Sequence, residues 1–574
     1  MLIKDSKTEF YDVLKNKSVV LLVNTDVDAL CSALIFSNLL TCDDVPHTLI
    51  PVDGWEAVER SFTEFQDQNV TIVMLNCGGS RSLLDLNIAE DLNVFVVDSR
   101  RPFHHENVFE NSQIRVLIDQ GEVDDLRIPA PEEVMAGDSD SDDSSGESDV
   151  EDSEGASYES KLTKIRKKAI KREEKRLWER RRQDILWKYY ETACYSLPTS
   201  VRMLELAAQL NRSTAQLMWY AAVGLNSQFV DRLTSIEAYT SVCLERMRPF
   251  IHKYAPKNLT TCKTDDTLRI SFDKDLPLAL YSHWDLYHSM MVDEYFSIRT
   301  KNWTQKGDTN IRHLLANLGI TIAETTQKFE ALTTEQKKKV VEILEAEMDS
   351  SFATFFVHLG YSTKLNASDV ARVVALRLEM PKSKESIDRF TSAAHLLTAS
   401  VVANEKSRAD LNVVFDRMYQ RMMKVVWKTV AAAINQSEVL PNGPFYLFTC
   451  SRVIEEAESR HFLYNTTNFL LKAFAASKKG RTAKPLVATF PIAPSADDEN
   501  AKSGRMLITG VMPLATVYED NSLKTCMGRA FERVKKMAPK LDLKMDSFDS
   551  NIVTIRNEDR TRFFDCLQSI LETA

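Results

Sequence analysis

The chain is poor in glycine, with only 16 in 574 residues, well under the usual ~7%. Tight turns lean on glycine, so the scarcity disfavours a sandwich or barrel and favours long helices. Cysteines number nine, none closer than eleven positions to the next. No Cys-x-x-Cys pair exists, which argues against a zinc ribbon or a redox motif, and the odd count argues against a disulfide framework. No uncharged apolar run approaches the ~18 residues of a membrane span. The opening residues lack the apolar core of a signal peptide. A reducing compartment, cytosol or nucleus, is expected. Excess positive charge is also absent. At a net charge of −10 the whole molecule has no electrostatic reason to coat DNA, so any nucleic-acid contact must be local. What remains is an ordinary globular composition, 44% hydrophobic and 27% charged, long enough for about three to five domains.

Residues 1–122 alternate short apolar runs with amphipathic segments. Val19–Val23, Thr48–Val52, Thr71–Leu75, Val94–Val97 and Arg115–Ile118 are expected strands. Asp28–Leu40 and Trp55–Phe65 are expected helices between them. Near-continuous apolar strands separated by helices imply a mostly parallel sheet covered on both faces.

Composition then changes sharply. Asp138–Glu154 holds nine acids and six serines in seventeen residues, too little apolar surface to offset ordering entropy. A disordered acidic loop over 123–160 is expected, either a solvated spacer or a regulated tail. Ser139, Ser144 and Ser148 each have an acid three residues on, a pattern suited to acidophilic kinases. Lys161–Arg182 follows with twelve basic residues in twenty-two and no Gly or Pro, so a helix is expected. Three readings of it stand: a solvated face paired with Glu173, Glu174 and Glu179, a nuclear-localisation signal, or a nucleic-acid contact.

From Asp184 to about Ala433 the pattern is almost all helical. Ser200–Leu210, Ile311–Leu318, Thr334–Asp349, Ser368–Leu378 and Ala409–Ile434 have apolar positions at three-to-four spacing. Ser368 and Asp369 read as an N-cap and first turn. His283 and His288 flank Trp284, but a spacing of five does not put them on one helix face, so they read as core or surface residues. The last 140 or so residues return to mixed α/β. Their expected strands are Phe445–Phe448, Leu486–Phe490, Met506–Val511 and Asn551–Ile555, and their expected helices Leu463–Ala476, Thr525–Met537 and Arg560–Glu572. Lys478, Lys479, Arg481 and Lys484 form a small basic loop, a candidate phosphate contact or simply an exposed turn.

Chemistry in an open α/β sheet collects past the carboxyl ends of its strands, and here four strand ends carry Asn or Asp. Asn24, Asp26 and Asp28 follow the first run, Asn76 the third, Asp98 the fourth and Asp119 the fifth. Paired carboxylates are what a hard divalent cation needs. This layout resembles the DHH phosphoesterase superfamily, which includes the RecJ single-strand exonucleases. That resemblance implies an Asp-x-Asp motif, matched by Asp26 and Asp28, then an Asp where Asn76 stands. An Asp-His-His is implied next, of which only Asp98 remains, with Ser99 and Arg100 replacing the histidines. Asp119 answers to a further Asp. His104 and His105 form a pair, but out of register beyond Pro102. Two divalent ions ~3.5–4 Å apart need bridging carboxylates. The departures therefore imply a degenerate, non-catalytic site, with Asp26, Asp28 and Asp98 sufficing for one weakly held Mg²⁺ or Mn²⁺ at most. The vestigial aspartates are then expected as helix caps or loop-fixing acceptors.

A decayed DHH site in these surroundings resembles the cell division control protein 45 family. The residues that carry this are Asn-Thr-Asp-Val-Asp-Ala-Leu-Cys at 24–31, Pro-Val-Asp-Gly-Trp at 51–55, Leu-Asn-Cys-Gly at 75–78 and Val-Asp-Ser-Arg-Arg-Pro at 97–102. Further carriers are the acidic tract before the basic helix, Leu-Tyr-Ser-His-Trp at 280–284, Ala-Ser-Asp-Val at 367–370, Gly-Pro-Phe at 443–445 and Gly-Arg-Ala-Phe-Glu at 528–532. The resemblance implies an α/β fold with a large all-α insertion. Its parts would be a DHH-like parallel-sheet domain at 1–122, the loop at 123–160, a helical region at 161–433 and a mixed α/β DHHA1-like domain at 434–574. It also implies a catalytically inactive nuclear subunit of the replicative helicase, bound to the MCM ring and the GINS complex. Initiation factors and polymerases are implied as further partners, and single-stranded DNA as an occupant of the groove between the two α/β halves. The alternative reading is a metal-dependent exonuclease or phosphoesterase.

Overall fold

The computed structural model describes residues 1–135, 158–254, 270–401, 418–477, 484–493, 504–512 and 524–573. Positions 87, 90, 110–112, 123–125, 318, 320, 348–353, 361–363 and 381–384 within those ranges are excepted. The acidic tract Asp138–Glu154, with Ser139, Ser144 and Ser148, lies outside the described residues, as do Lys478, Lys479 and Arg481.

The first sheet is built from β1 (Leu2–Ile3), β2 (Val19–Asn24), β3 (His47–Val52), β4 (Thr71–Leu75) and β5 (Asn93–Val97). After the two-residue β6 (Arg100–Arg101), β7 (Ile114–Leu117) completes it. Its order is β1-β7-β5-β4-β2-β3, and every pairing is parallel. Side chains alternate across a strand, and both faces are buried. Val19, Leu21 and Val23 join one core, while Val20 and Leu22 join the other. That is why these strands read as unbroken apolar runs.

The first of these cores is the larger. It takes in the helices Val27–Cys42, Thr199–Gln209 and Ala215–Val230 and continues to Phe448 and Ala488 near the other end of the chain. Ala215–Val230 is buried from Leu217 through Val230, as expected of a helix apolar nearly all round.

The middle region is mainly helical, and it also holds a small antiparallel sheet that sequence periodicity missed. This sheet runs β11-β10-β9, from β9 (Ile270–Asp275), β10 (Thr354–Leu359) and β11 (Leu365–Asn366). β8 (Cys194–Tyr195) pairs with β6, tying the start of that region to the sheet's rim. The cap of the helix Ala367–Glu379 also differs from expectation. Asn366 is the N-cap and accepts from Ser368 N at 2.8 Å, leaving Ser368 inside the first turn. The helix expected from Ala409 is described from Gln420 to Asn435.

At the C-terminal end, β12 (Val439–Asn442), β13 (Phe445–Thr449), β14 (Leu486–Pro491), β15 (Arg505–Val511) and β16 (Ile552–Arg556) form a five-stranded mixed sheet in chain order. Only β13–β14 is parallel.

Candidate functional site

β2 ends at Asn24, and the chain turns at once into the helix Val27–Cys42. Asp26 is the N-cap of that helix, its Oδ1 accepting from Ala29 N at 2.7 Å. Its Oδ2 accepts from Asn24 Nδ2 at 2.6 Å. Two residues on, Asp28 lies in the first turn but points to a different helix. Thr199–Gln209 begins after Pro198 with no capping side chain of its own. Asp28 supplies the acceptors, with Oδ2 taking Thr199 N at 2.9 Å and Oδ1 taking Ser200 N at 2.9 Å and Ser200 Oγ at 2.6 Å. A carboxylate suits the positive end of a helix and its unpaired N–H groups.

Asn76 follows β4 in the left-handed conformation, φ 55°, which Asn tolerates better than most residues. Its amide works from both ends. Nδ2 donates to Asp28 Oδ2 at 2.9 Å and reaches Asp26 Oδ1 at 3.4 Å. Oδ1 accepts from Thr199 Oγ1 at 2.7 Å and Ser99 N at 3.1 Å.

After β5, Asp98 accepts from Gly79 N at 3.0 Å and Arg100 N at 2.9 Å. The Arg100 guanidinium then enters the cluster. NH1 donates to Asn76 O at 2.6 Å and lies 3.4 Å from Asp98 Oδ1, and NH2 lies 3.3 Å from Asp26 Oδ2. A guanidinium does not give up its charge in proteins. All of these side chains are buried. Each of the six carboxylate oxygens of Asp26, Asp28 and Asp98 accepts at least one hydrogen bond from the protein. Burial, and then the charge of Asp26, push the Asp28 carboxyl up to about 6, with the bonds from Ser200 and Asn76 pulling the other way.

Asp26, Asp28, Asn76, Asp98, Ser99 and Arg100 are therefore one bonded group. Asp119 is not part of it. Its carboxylate pairs with Arg246 at 2.8 Å, and the Arg246 that joins it also binds Glu205 at 3.0 Å. Burial alone would raise the Asp119 carboxyl, but Arg246 holds it below the ordinary range. His104 and His105 also stand apart, packed on Tyr190 with ring centroids 5.9 Å away in both cases. His288 binds Asp285 Oδ1 at 2.8 Å and stacks on Trp284. Lys484 donates to Gly443 O at 2.6 Å, away from the residues that line the groove described next.

Thr199, Ser200 and Gly224 had no sequence signal, because they reach Asp28 from helices more than 170 residues further along the chain. Gly224 is needed for close approach. A Cβ there would meet Ser200 Oγ at 2.2 Å and Asp28 Oδ1 at 3.1 Å.

Beside the cluster a cavity of about 520 Å³ opens between the first sheet, the helical region and the C-terminal sheet. Arg81, Arg100, Lys524, Tyr190, Tyr464 and Phe548 are among its walls. Arg81 lies 4.9 Å over the Trp55 ring, and Trp55 packs edge-on against Phe548 at 5.4 Å.

The CDC45 family model matches residues 19–413. The cell division control protein 45 homolog of Homo sapiens is 31% identical over 593 aligned residues, and that of Mus musculus 30% over 587, with all of each chain covered. Among solved structures, CDC45 from Entamoeba histolytica superposes with a TM-score of 0.66 over all of both chains at 19% identity, a likeness of fold. With the family model spanning well over half of the sequence and relatives aligned from end to end, this chain belongs to the CDC45 family.

Proposed function

We propose that this chain is a non-catalytic replication factor, a nuclear subunit of the replicative DNA helicase that bridges the MCM ring and the GINS complex. One observation carries the loss of chemistry. The Arg100 guanidinium lies between Asp26 and Asp98, 3.3 and 3.4 Å from their carboxylates, where a two-metal centre would need its cation. Asn76 adds a neutral amide, and each oxygen of the three carboxylates already has a donor. These residues do not fit a pair of divalent ions, which require free bridging carboxylates. Asp26 and Asp28 instead hold helix starts, and Asp98 holds the backbone N–H groups of Gly79 and Arg100.

Single-stranded DNA in the groove fits the arginines held over Trp55 and Tyr190 along its walls, with Phe548 packed on Trp55, since bases stack on aromatic faces while cations meet the backbone. Family membership supports the replication role, and initiation factors and polymerases are the further partners this reading implies.

Two measurements test the reading. The purified full chain is incubated with labelled single-stranded DNA and Mn²⁺, and no turnover is expected. Turnover that disappears in Asp98→Asn would favour the phosphoesterase alternative. A tagged chain should co-purify with MCM and GINS, and Asp26→Asn should retain both. Absence of both partners from the wild-type pull-down would overturn the scaffold role.

A further inference from the structure

The basic helix, Tyr158–Tyr190, is 33 residues long and is fixed at one end only among the described residues. Its C-terminal turns are held tightly. Tyr189 OH donates to Phe103 O at 2.9 Å, and His105 N donates to Tyr190 OH at 2.9 Å. Arg529 and Arg533 of the helix Met527–Met537 lie 5.4 and 4.8 Å from the Trp187 ring. The base is thereby gripped from the first sheet on one side and the C-terminal region on the other. Further out, every residue from Ala169 to Leu177 is exposed, Ile170 at 50% and Leu177 at 55%.

This shaft carries a charge pattern that no described neighbour answers. Arg172, Arg176 and Arg180 stand four residues apart, so they form one ridge with about 6 Å of rise between successive cations. Lys171 and Lys175 form a second ridge beside it. Like charges at this spacing destabilise a helix. Glu173, Glu174 and Glu179 lie three or four residues from these cations, yet among the described residues none of them makes an ion pair. A helix that docks into a protein groove uses apolar anchors at i, i+3, i+4 and i+7. Here the exposed stretch offers only Ile170 and Leu177 as large apolar side chains, seven residues apart. A partner with many negative charges at a short, regular spacing fits these ridges, and a folded protein with an apolar groove does not.

We propose that the shaft is a second nucleic-acid contact, a rigid cationic arm that binds the phosphate backbone without reading sequence. The arm stands outside the groove and does not depend on whether the groove holds DNA.

The test uses the full chain and fluorescently labelled oligo-dT or duplex DNA of about 30 nucleotides, titrated between about 50 and 200 mM salt. The variant is Arg172→Gln/Arg176→Gln/Arg180→Gln, because glutamine keeps helix propensity while removing charge. Three lost phosphate contacts should shrink the slope of log K against log salt by about 2 on the single strand and by nearly 3 on the duplex. Affinity at the lowest salt should fall by about tenfold or more. Circular dichroism should show no loss of helix, since repulsion along the ridge is relieved. Glu173→Gln/Glu174→Gln should act in the opposite sense and tighten binding to both probes. An unchanged slope and affinity in the triple variant would overturn the proposal. Displacement of both probes by poly-glutamate as effectively as by unlabelled DNA of equal charge would overturn the nucleic-acid assignment in favour of an acidic protein.

Discussion

Asp28 caps a helix that begins 171 residues further along the chain, its Oδ2 accepting from Thr199 N at 2.9 Å. A carboxylate at the rim of the parallel sheet thus holds the first sheet to the helical region. Asp546 does the same from the opposite end of the sequence. The helix Trp55–Phe65 starts at Gly54, which has no capping side chain, and Asp546 Oδ1 accepts from Glu56 N at 2.8 Å.

The titration of Asp28 gives a pH signature. Its carboxyl is raised from 3.8 to about 6, so its contribution to stability is fully present below the unfolded value and is lost as pH rises through about 6. Asp28→Asn lacks this titration and leaves an amide N–H facing backbone donors. Between about pH 7.5 and about pH 5 the stability of wild type relative to Asp28→Asn should therefore increase by about 1 kcal/mol. Urea denaturation at both pH values reads this directly, and a gap that stays constant or narrows contradicts it.

Gly224→Ala should be costly although it lies in a helix, where alanine is normally the better residue. The new methyl would meet Ser200 Oγ at 2.2 Å, forcing the Ser200 side chain off Asp28. A loss of about 1–3 kcal/mol is expected from overpacking, visible as a lower Tm. Adding Ser200→Gly should restore part of it.

Asn76→Asp would put a carboxylate oxygen where Nδ2 now donates to Asp28 at 2.9 Å. Three carboxylates would then face one another with only Arg100 among them. The change should destabilise by about 2–4 kcal/mol near neutral pH, and by less in acid, where a proton can be shared. Chemical denaturation at two pH values checks both the size and the sign.

Asp546→Ala removes an N-cap and should cost about 1 kcal/mol. Gly54→Ala should cost more, because its Cβ would sit 2.1 Å from Asp546 Oδ2. In the double variant that clash is gone, so the two losses should fall well short of adding. Strict additivity would show that the Gly54–Asp546 contact is not what fixes this corner.

Much of the frame was legible in the sequence because it depends on local periodicity. β4 and the helix Trp55–Phe65 begin and end where the apolar pattern does, and β2, β3, β5 and β7 shift by only a residue or so. The small middle sheet was not legible. β9 reads Ile-Ser-Phe-Asp-Lys-Asp, a weak strand signal, and its partner β10 lies some eighty residues away. The cap of Ala367–Glu379 was misplaced by two positions because Asn366, Ser368 and Asp369 are all good capping types. Only backbone geometry distinguishes them.

The sequence by itself determined that strand ends Asn24, Asn76 and Asp98 and the turn residues Asp26 and Asp28 converge, since a parallel sheet with right-handed crossovers brings its carboxyl ends to one edge. It also placed Asn76, Ser99 and Arg100 where the resemblance implies metal ligands. What the aspartates do now was decided by tertiary structure. An ionised carboxylate buried without partners is prohibitively unstable, so each had to find donors. Asp28 found them on the Thr199–Gln209 helix, and Asp26 and Asp98 found them on Arg100 and on nearby backbone and side-chain N–H groups. The partners of Asp28 come from far along the chain, and the docking of helices that brings them within 3 Å leaves no mark in local sequence.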